Sequence, residues 1–256
     1  MIVRGVLLDI DGVLHVGGTP VAGAAEAVSW LKEEEIPFRC VSNTTRSCRA
    51  TIAARLAAMG ILVPEEYIFT PARAAAHLLE EAGSTRCLML VAEDVISDLP
   101  ENLEGGEGQA DSVVIGDAGD AFTYASMNRA FRMILGGAEM IALEKDRYWM
   151  AADGLSLSAG PFVAGLEYAT GRRAMLVGKP APRFFSTALE DMGIAPGDAL
   201  MVGDDLFTDI RGAQEAGMRA VLVRTGKYRA GQIDPAIRPD HTIDSIADLF
   251  SVLYHE

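Results

Sequence analysis

The chain has few cysteines, few cations relative to anions, and no long apolar run, and each shortage closes off a class of function. The three cysteines, Cys40, Cys48 and Cys87, are odd in number and scattered. They build no disulfide framework and have no metal-ligand spacing, so they read as reduced thiols, buried rather than reactive. The four histidines, His15, His77, His241 and His255, form no ligand pattern either. His15, just after the first acidic pair, either faces the site or is a loop histidine, and the loop reading is preferred. The 22 Lys and Arg face 36 Asp and Glu, a formal net charge of −14. That balance speaks against a nucleic-acid surface and against an anionic membrane surface. No stretch approaches the length of a membrane span. The N-terminus lacks a basic region followed by an apolar core and a small-residue cleavage site. There is no internal repeat and no low-complexity tract. The expectation is a cytoplasmic protein of 256 residues, half of them hydrophobic, with core enough for one large domain or two moderate ones.

Four apolar runs end in polar residues that carry chemistry. The first is Val6-Leu7-Leu8-Asp9-Ile10-Asp11-Gly12, a buried-strand pattern ending in two carboxylates two positions apart. The strand period of two would point Asp9 and Asp11 the same way, and like charges so placed repel unless a cation or proton lies between them. Mg²⁺ suits such a place, because it takes carboxylate oxygens together with substrate phosphate. The second run, Phe38-Arg39-Cys40-Val41, ends in Ser42-Asn43-Thr44-Thr45. These side chains fit either a helix N-cap or an anionic oxygen. The third, Met175-Leu176-Val177-Gly178, ends in Lys179-Pro180. Lys179 is either a solvated surface residue or a fixed charge for a phosphoryl group. The fourth, Ala199-Leu200-Met201-Val202-Gly203, runs into Asp204-Asp205, with Asp209 five positions after Asp204.

Strand and helix patterns alternate, which predicts a parallel sheet covered on both faces. Helices are expected over 22–35 and 47–59, the latter stopped by Gly60, and from Pro71 to about Ala82. Gly83-Ser84 is a turn signal, after which the alternation restarts. Strands are expected at Cys87–Ala92, Asp111–Gly116 and Glu139–Leu143, helices at Tyr124–Leu135 and Pro161–Thr170, and a loop at Glu101–Gln109. The expected organisation is a discontinuous Rossmann-like core, residues 1–84 and 175–256, with an inserted α/β domain at 85–174. The core closes with a helix near Ser245–Tyr254.

Taken in order, the four strand ends resemble the motifs of the haloacid dehalogenase superfamily, and the resemblance covers nearly the whole chain. The wide gap between Asn43 and Lys179 resembles the branch with a large α/β cap at that point (type IIA, NagD-like phosphatases; a C2-type cap). Further runs look alike within that branch: Ile68-Phe69-Thr70, Gly165-Leu166-Glu167-Tyr168-Ala169 and Arg224-Thr225-Gly226-Lys227-Tyr228. The resemblance implies a phosphatase for a small phosphorylated metabolite, a phosphomonoester or a pyrophosphate-like compound. It implies Asp9 as nucleophile, passing through an aspartyl-phosphate, and Asp11 as general acid and then base. Mg²⁺ would be held by the Asp9 and Asp204 side chains and the Asp11 carbonyl. Ser42 and Asn43 would bind phosphoryl oxygens, and Lys179 would offset charge around phosphorus. Asp205 and Asp209 would orient Lys179 or metal-bound waters. Asp11 also bears on the reaction, because the superfamily's carbon–halogen hydrolases lack that second aspartate.

The cap is expected to set the substrate. Many type IIA members carry Thr-Asn-x-Asp where this chain has Leu143-Glu144-Lys145-Asp146, so their substrates do not transfer. Arg147, Tyr148 and Trp149 either grip an anionic or planar leaving group or belong to a hairpin packed on the core. Relatives with this cap often dimerise through it, so a homodimer is expected. Three other readings remain open: a phosphomutase on the same fold, a phospho-acceptor signalling module, and a scaffold without turnover. The long insert and the late Asp204–Asp209 cluster speak against the signalling module. The intact Asp9, Asp11, Lys179 and Asp204 speak against the scaffold.

Overall fold

The computed structural model describes residues 3–101, 103, 108–151, 153–229, 234 and 236–254. By their contacts the residues form two compact units: 1–42, 49–69 and 179–256 in the first, 43–48 and 70–178 in the second. Along the chain the first unit supplies β1 (Gly5–Asp9), β2 (His15–Val16), β3 (Thr19–Pro20), α1 (Ala24–Glu33), β4 (Phe38–Val41), α2 (Arg49–Ala58) and β5 (Ile68–Phe69). The second unit follows with α3 (Pro71–Glu81), β6 (Cys87–Leu90), β7 (Ser112–Ile115), α4 (Tyr124–Leu135) and β8 (Glu139–Ala142). It continues with β9 (Tyr148–Ala151), β10 (Gly154–Leu157), α5 (Gly160–Thr170) and β11 (Met175–Leu176). The chain then returns to the first unit with α6 (Pro182–Glu190), β12 (Ala199–Gly203), α7 (Gly212–Glu215), β13 (Arg219–Val223), β14 (His241–Ile243) and α8 (Leu249–Tyr254).

The first unit is built on a parallel six-stranded sheet in the order β14-β13-β12-β1-β4-β5. Its two central strands, β1 and β12, are buried at every position, as strands covered on both faces must be. The helices carry their apolar residues on one stripe. Ala24, Val28 and Leu31 of α1 and Ile52 and Leu56 of α2 are buried, and they join Val6, Leu8, Leu200, Val202 and Val221 of the sheet in one core. Because the strands are parallel, their carboxyl ends lie along one edge. Asp9, Ser42, Asp204 and the 224–228 turn all fall there, the edge where open α/β sheets bind ligands.

The second unit has its own parallel sheet, β11-β8-β7-β6, covered by α4 and α5, and a separate antiparallel hairpin of β9 and β10. Its core gathers Val113, Ile115, Met140 and Ala142 with Ala130, Met133, Ile134, Val163 and Leu166 of the helices. Thr123 and Ser126 cap the start of α4 reciprocally, which fixes its first turn. Two features differ from the sequence expectation. β11 pairs in parallel with β8, so residues 175–178 group with the second unit rather than opening the core run. Helix α3, whose N-cap Thr70 accepts from the Arg73 N–H at 3.4 Å, also groups there, as does the short excursion 43–48. Strand pairing and packing set these boundaries, whereas Gly83-Ser84 is only a local turn. Of the loop expected at Glu101–Gln109, residues 102 and 104–107 lie outside the described residues, as does His255.

All three cysteines are buried thiols outside any disulfide. Burial pushes the Cys40 thiol up to about 12 and the Cys87 thiol up to about 11. Both therefore hold almost no thiolate, the reactive form, at pH 8. The native protein should show no fast titration by a colorimetric disulfide reagent at that pH, with three thiols appearing on unfolding. Rapid labelling of Cys40 or Cys87 in the native state, mapped by mass spectrometry, would contradict this packing.

Candidate active site

At the end of β1 the Asp9 side chain is buried and meets Lys179, whose Nζ lies 2.6 Å from Asp9 Oδ1. The same ammonium donates to Asp209 Oδ1 at 2.7 Å. The other oxygen of Asp209 accepts the backbone N–H groups of Asp204 (3.2 Å) and Asp205 (3.1 Å). Asp209 reaches this place because Leu206–Arg211 forms a wide π-type turn directly after β12. Asp205 caps that turn, accepting from the N–H groups of Phe207 at 2.8 Å and Thr208 at 3.1 Å. Asp204 contributes Oδ2 as acceptor for the Lys227 N–H at 2.6 Å, while its buried Oδ1 has no hydrogen-bond partner among the described residues. Two glycines in left-handed conformation close over this carboxylate, Gly12 (φ 98°) and Gly226 (φ 64°). A Cβ on either would collide with Asp204 Oδ2.

Asp9, Asp204 and Asp209 each bring a carboxylate oxygen to within 4.8 Å of the others, all three residues buried. The Lys179 ammonium bonds two of the three carboxylates, Asp9 and Asp209, and the crowding of buried negative charge shows in the proton affinities of Asp9 and Asp204. Burial pushes Asp9 well above the usual carboxylate range; Lys179 opposes this, and Asp209 and Asp204 add to it. Burial also pushes Asp204 up to about 6, against the Lys227 N–H and with Asp209. For Lys179, burial disfavours its charge, but Asp209 and Asp9 outweigh burial and hold it above the ordinary lysine value. All three shifts have one origin, a dry pocket holding more negative than positive charge. A hard divalent cation fits this donor set: oxygen ligands only, two uncompensated charges, and in Asp204 Oδ1 a buried acceptor without a donor.

Asp11 does not join this cluster. β1 ends at Asp9 and the chain turns at Gly12, so the strand period does not extend to position 11. The Asp11 side chain is 67% exposed, and its Oδ1 faces His15 Nε2 at 3.5 Å. The like charges that crowd together therefore come from β1 and the β12 turn. Ser42, buried at the end of β4, donates its N–H to the Phe69 carbonyl at 3.2 Å. Asn43 groups with the second unit, where its Oδ1 lies against Gly178.

Arg147 and Trp149 also lie in the second unit, at the start of the β9–β10 hairpin, and both are exposed. The Arg46 guanidinium lies 4.9 Å from the Trp149 ring centroid and is held by Asp117 at 3.1 Å. Buried Glu144 pins the preceding loop, accepting from the Ser158 hydroxyl, from the Ala159 N–H at 2.8 Å and from the Asp146 N–H. Sequence reasoning gave no role to residues 224–228. Thr225 donates its hydroxyl to the Gly12 carbonyl, Lys227 donates to Asp204, and the Lys227 amine lies 3.6 Å from Asp205. The available signal was a fifth apolar run, Ala220–Val223, ending in polar residues and a glycine.

Two family models match this arrangement in sequence. "Haloacid dehalogenase-like hydrolase" covers residues 6–103, and "HAD-hyrolase-like" covers 176–249. The chain is 40% identical to human phospholysine phosphohistidine inorganic pyrophosphate phosphatase, over 98% of this chain and 94% of that protein. It is 42% identical to bovine haloacid dehalogenase-like hydrolase domain-containing protein 2, over 90% and 88% respectively. Among solved structures, NagD from E. coli K-12 superposes with a TM-score of 0.90 at 28% identity, covering 97% of this chain and 98% of that one. With β1, β4 and the β12 turn carrying the expected acidic and hydroxyl residues, this chain belongs to the type IIA, NagD-like branch of the haloacid dehalogenase superfamily, as a hydrolase of phosphate esters.

Proposed function

We propose that this chain is a Mg²⁺-dependent phosphatase that works through an aspartyl-phosphate on Asp9, with residues 85–174 belonging to an inserted α/β cap domain and the flanking segments to a Rossmann-like core. The buried Asp9–Lys179–Asp209–Asp204 cluster carries this reading: a nucleophile, a fixed cation and an uncompensated acidic pocket on one sheet edge. The Asp9 and Asp204 side chains and the Asp11 carbonyl would hold the metal. Bound there, Mg²⁺ supplies the positive charge that keeps carboxylates ionised and draws electron density from the phosphoryl oxygens.

Asp9 attacks phosphorus, and the bond from phosphorus to the leaving oxygen breaks as Asp11 hands that oxygen its proton. A water then attacks the phosphoryl group on Asp9, gives its proton to Asp11, and releases phosphate with the carboxylate restored. Lys179 stabilises the added negative charge throughout, with Asp209 fixing its position. Asp205 shapes the turn that carries Asp209. Ser42 and Asn43 bind the non-bridging phosphoryl oxygens, and Arg147 and Trp149 read the leaving group. The name of the human relative puts P–N and P–O–P bonds beside the phosphomonoester as candidate substrates. Homodimerisation through the cap and a cytoplasmic location belong to the same reading; no helix among the described residues is long and apolar enough to cross a membrane.

The reading is tested by phosphate release from p-nitrophenyl phosphate and from a panel of phosphorylated metabolites, phosphoramidates and pyrophosphate. Activity should appear with Mg²⁺ and vanish with chelator; turnover undiminished by chelator would overturn it. A second measurement isolates Asp11. Asp11→Asn should cost an alkyl phosphate about 10²-fold or more, and an aryl phosphate with an activated leaving group much less, because an aryl oxide needs little protonation. Equal losses on the two substrates would remove Asp11 as the general acid.

A further inference from the structure

We infer that His15 is a positioning residue for Asp11, holding one oxygen of its carboxyl group so that the other is presented to the leaving group. The inference rests on the reading of Asp11 as general acid and names what orients it. Asp11 is exposed and stands just beyond the end of β1, so the sheet does not fix its rotamer. His15 is fixed. The chain turns back after Ile10, whose carbonyl accepts the N–H groups of Leu14 (3.0 Å) and His15 (3.3 Å). The Gly12 N–H donates to the His15 carbonyl at 2.7 Å, and Asp11 and His15 face each other as a bridge pair. The short β2–β3 pairing, His15 opposite Pro20 and Val16 opposite Thr19, continues the clamp.

The side chains differ in the same sense. The imidazole is 16% exposed and the carboxylate 67%. A largely enclosed ring on a clamped backbone meets an exposed acid, so the ring determines where the acid rests. Nε2 is the atom that faces Asp11, at 3.5 Å, and a small rotation of the exposed carboxylate closes that distance to a hydrogen bond. Nδ1 is buried and has no hydrogen-bond partner among the described residues. A proton on Nδ1 would be a buried donor without an acceptor, so the favoured tautomer carries it on Nε2, directed at Asp11. One oxygen of Asp11 then accepts from Nε2–H, and the other carries the proton that the leaving oxygen receives. His15 touches neither phosphorus nor leaving group in this scheme and acts only through Asp11.

The test compares kcat/KM on p-nitrophenyl phosphate and on an alkyl phosphate for wild type, His15→Ala, His15→Gln, Asp11→Asn and the Asp11→Asn/His15→Ala double variant. Thermal unfolding of each confirms the fold. His15→Ala should lose about tenfold or more on the alkyl phosphate and several times less on the aryl ester, since only the former depends on a well-placed acid. Gln, with an amide N–H near the position of Nε2, should restore most of the alkyl activity. In the Asp11→Asn background, removing His15 should cost nothing further on the alkyl phosphate. Equal losses on both substrates in His15→Ala, or losses that add to those of Asp11→Asn, would overturn the inference while leaving Asp11 as the acid. If Asp11→Asn itself shows no preference between leaving groups, the acid reading fails and this inference fails with it. Should His15→Ala not fold, His15→Gln decides alone: near-wild-type discrimination supports the inference, and a loss equal on both substrates overturns it.

Discussion

Asp9→Asn is expected to abolish phosphate release while leaving the metal-free protein as stable as wild type, or more stable. The catalytic loss should reach about 10³-fold or more, because an amide cannot replace the carboxylate in forming the covalent intermediate. The stability arm has a separate origin. Asp9 shares the Lys179 ammonium with Asp209 and lies beside the buried Asp204, and burial already pushes it toward its neutral form. Removing its charge leaves Lys179 paired with Asp209 at 2.7 Å and lessens the excess. The checks are phosphate release with Mg²⁺ and urea unfolding in chelator, with mass spectrometry to exclude deamidation back to aspartate. Substantial turnover by the intact amide would eliminate Asp9 as nucleophile. A large drop in metal-free stability would show that the Asp9–Lys179 pair holds the core together, contrary to the charge count.

What sequence made legible follows the strands. The buried runs ending at Asp9, Val41 and Gly203 are strands at those places, because an apolar run flanked by polar residues has few other ways to bury itself. The α4 helix spans Tyr124–Leu135 as expected, with its stripe of buried Ala130, Met133 and Ile134. The details that sequence left out are those decided by tertiary pairing. The strand period suggested that Asp9 and Asp11 share a face, but pairing of β1 stops at Asp9 and the next acid turns outward to His15. Met175–Leu176 looked like the start of a core strand and instead completes the second unit's sheet beside β8. The 224–228 turn carries no acid, so nothing in it announces that its backbone and a hydroxyl would hold Asp204 and the Gly12 carbonyl. Lys179 was open between solvent and site. Only the fold shows it almost fully buried between two carboxylates, one 170 positions away in sequence and the other 30.

Lys179→Met should have the opposite stability sign to Asp9→Asn and a large, though smaller, loss of activity. Methionine matches the length of the lysine stem and fills its space, so the change is close to a pure loss of charge and donors. Asp9 and Asp209 then keep their burial without the ammonium that bonds both. Breaking a buried ion pair from one side costs about 3–5 kcal/mol, mostly from the charge left behind. Unfolding in chelator should therefore show a loss of that order. Mg²⁺ should recover part of it, because a cation at Asp9 and Asp204 restores positive charge to the same pocket. Turnover should fall about 10²-fold or more even at saturating Mg²⁺, since the lost charge stabilised the transition state directly. The double variant Asp9→Asn/Lys179→Met separates these effects: with one of the stranded carboxylates neutral, it should be more stable in chelator than Lys179→Met alone. If Lys179→Met unfolds at the wild-type midpoint in chelator, Lys179 is not the counter-ion that holds the acidic cluster together. If it is destabilised but Mg²⁺ returns nothing, the cation does not bind at Asp9 and Asp204.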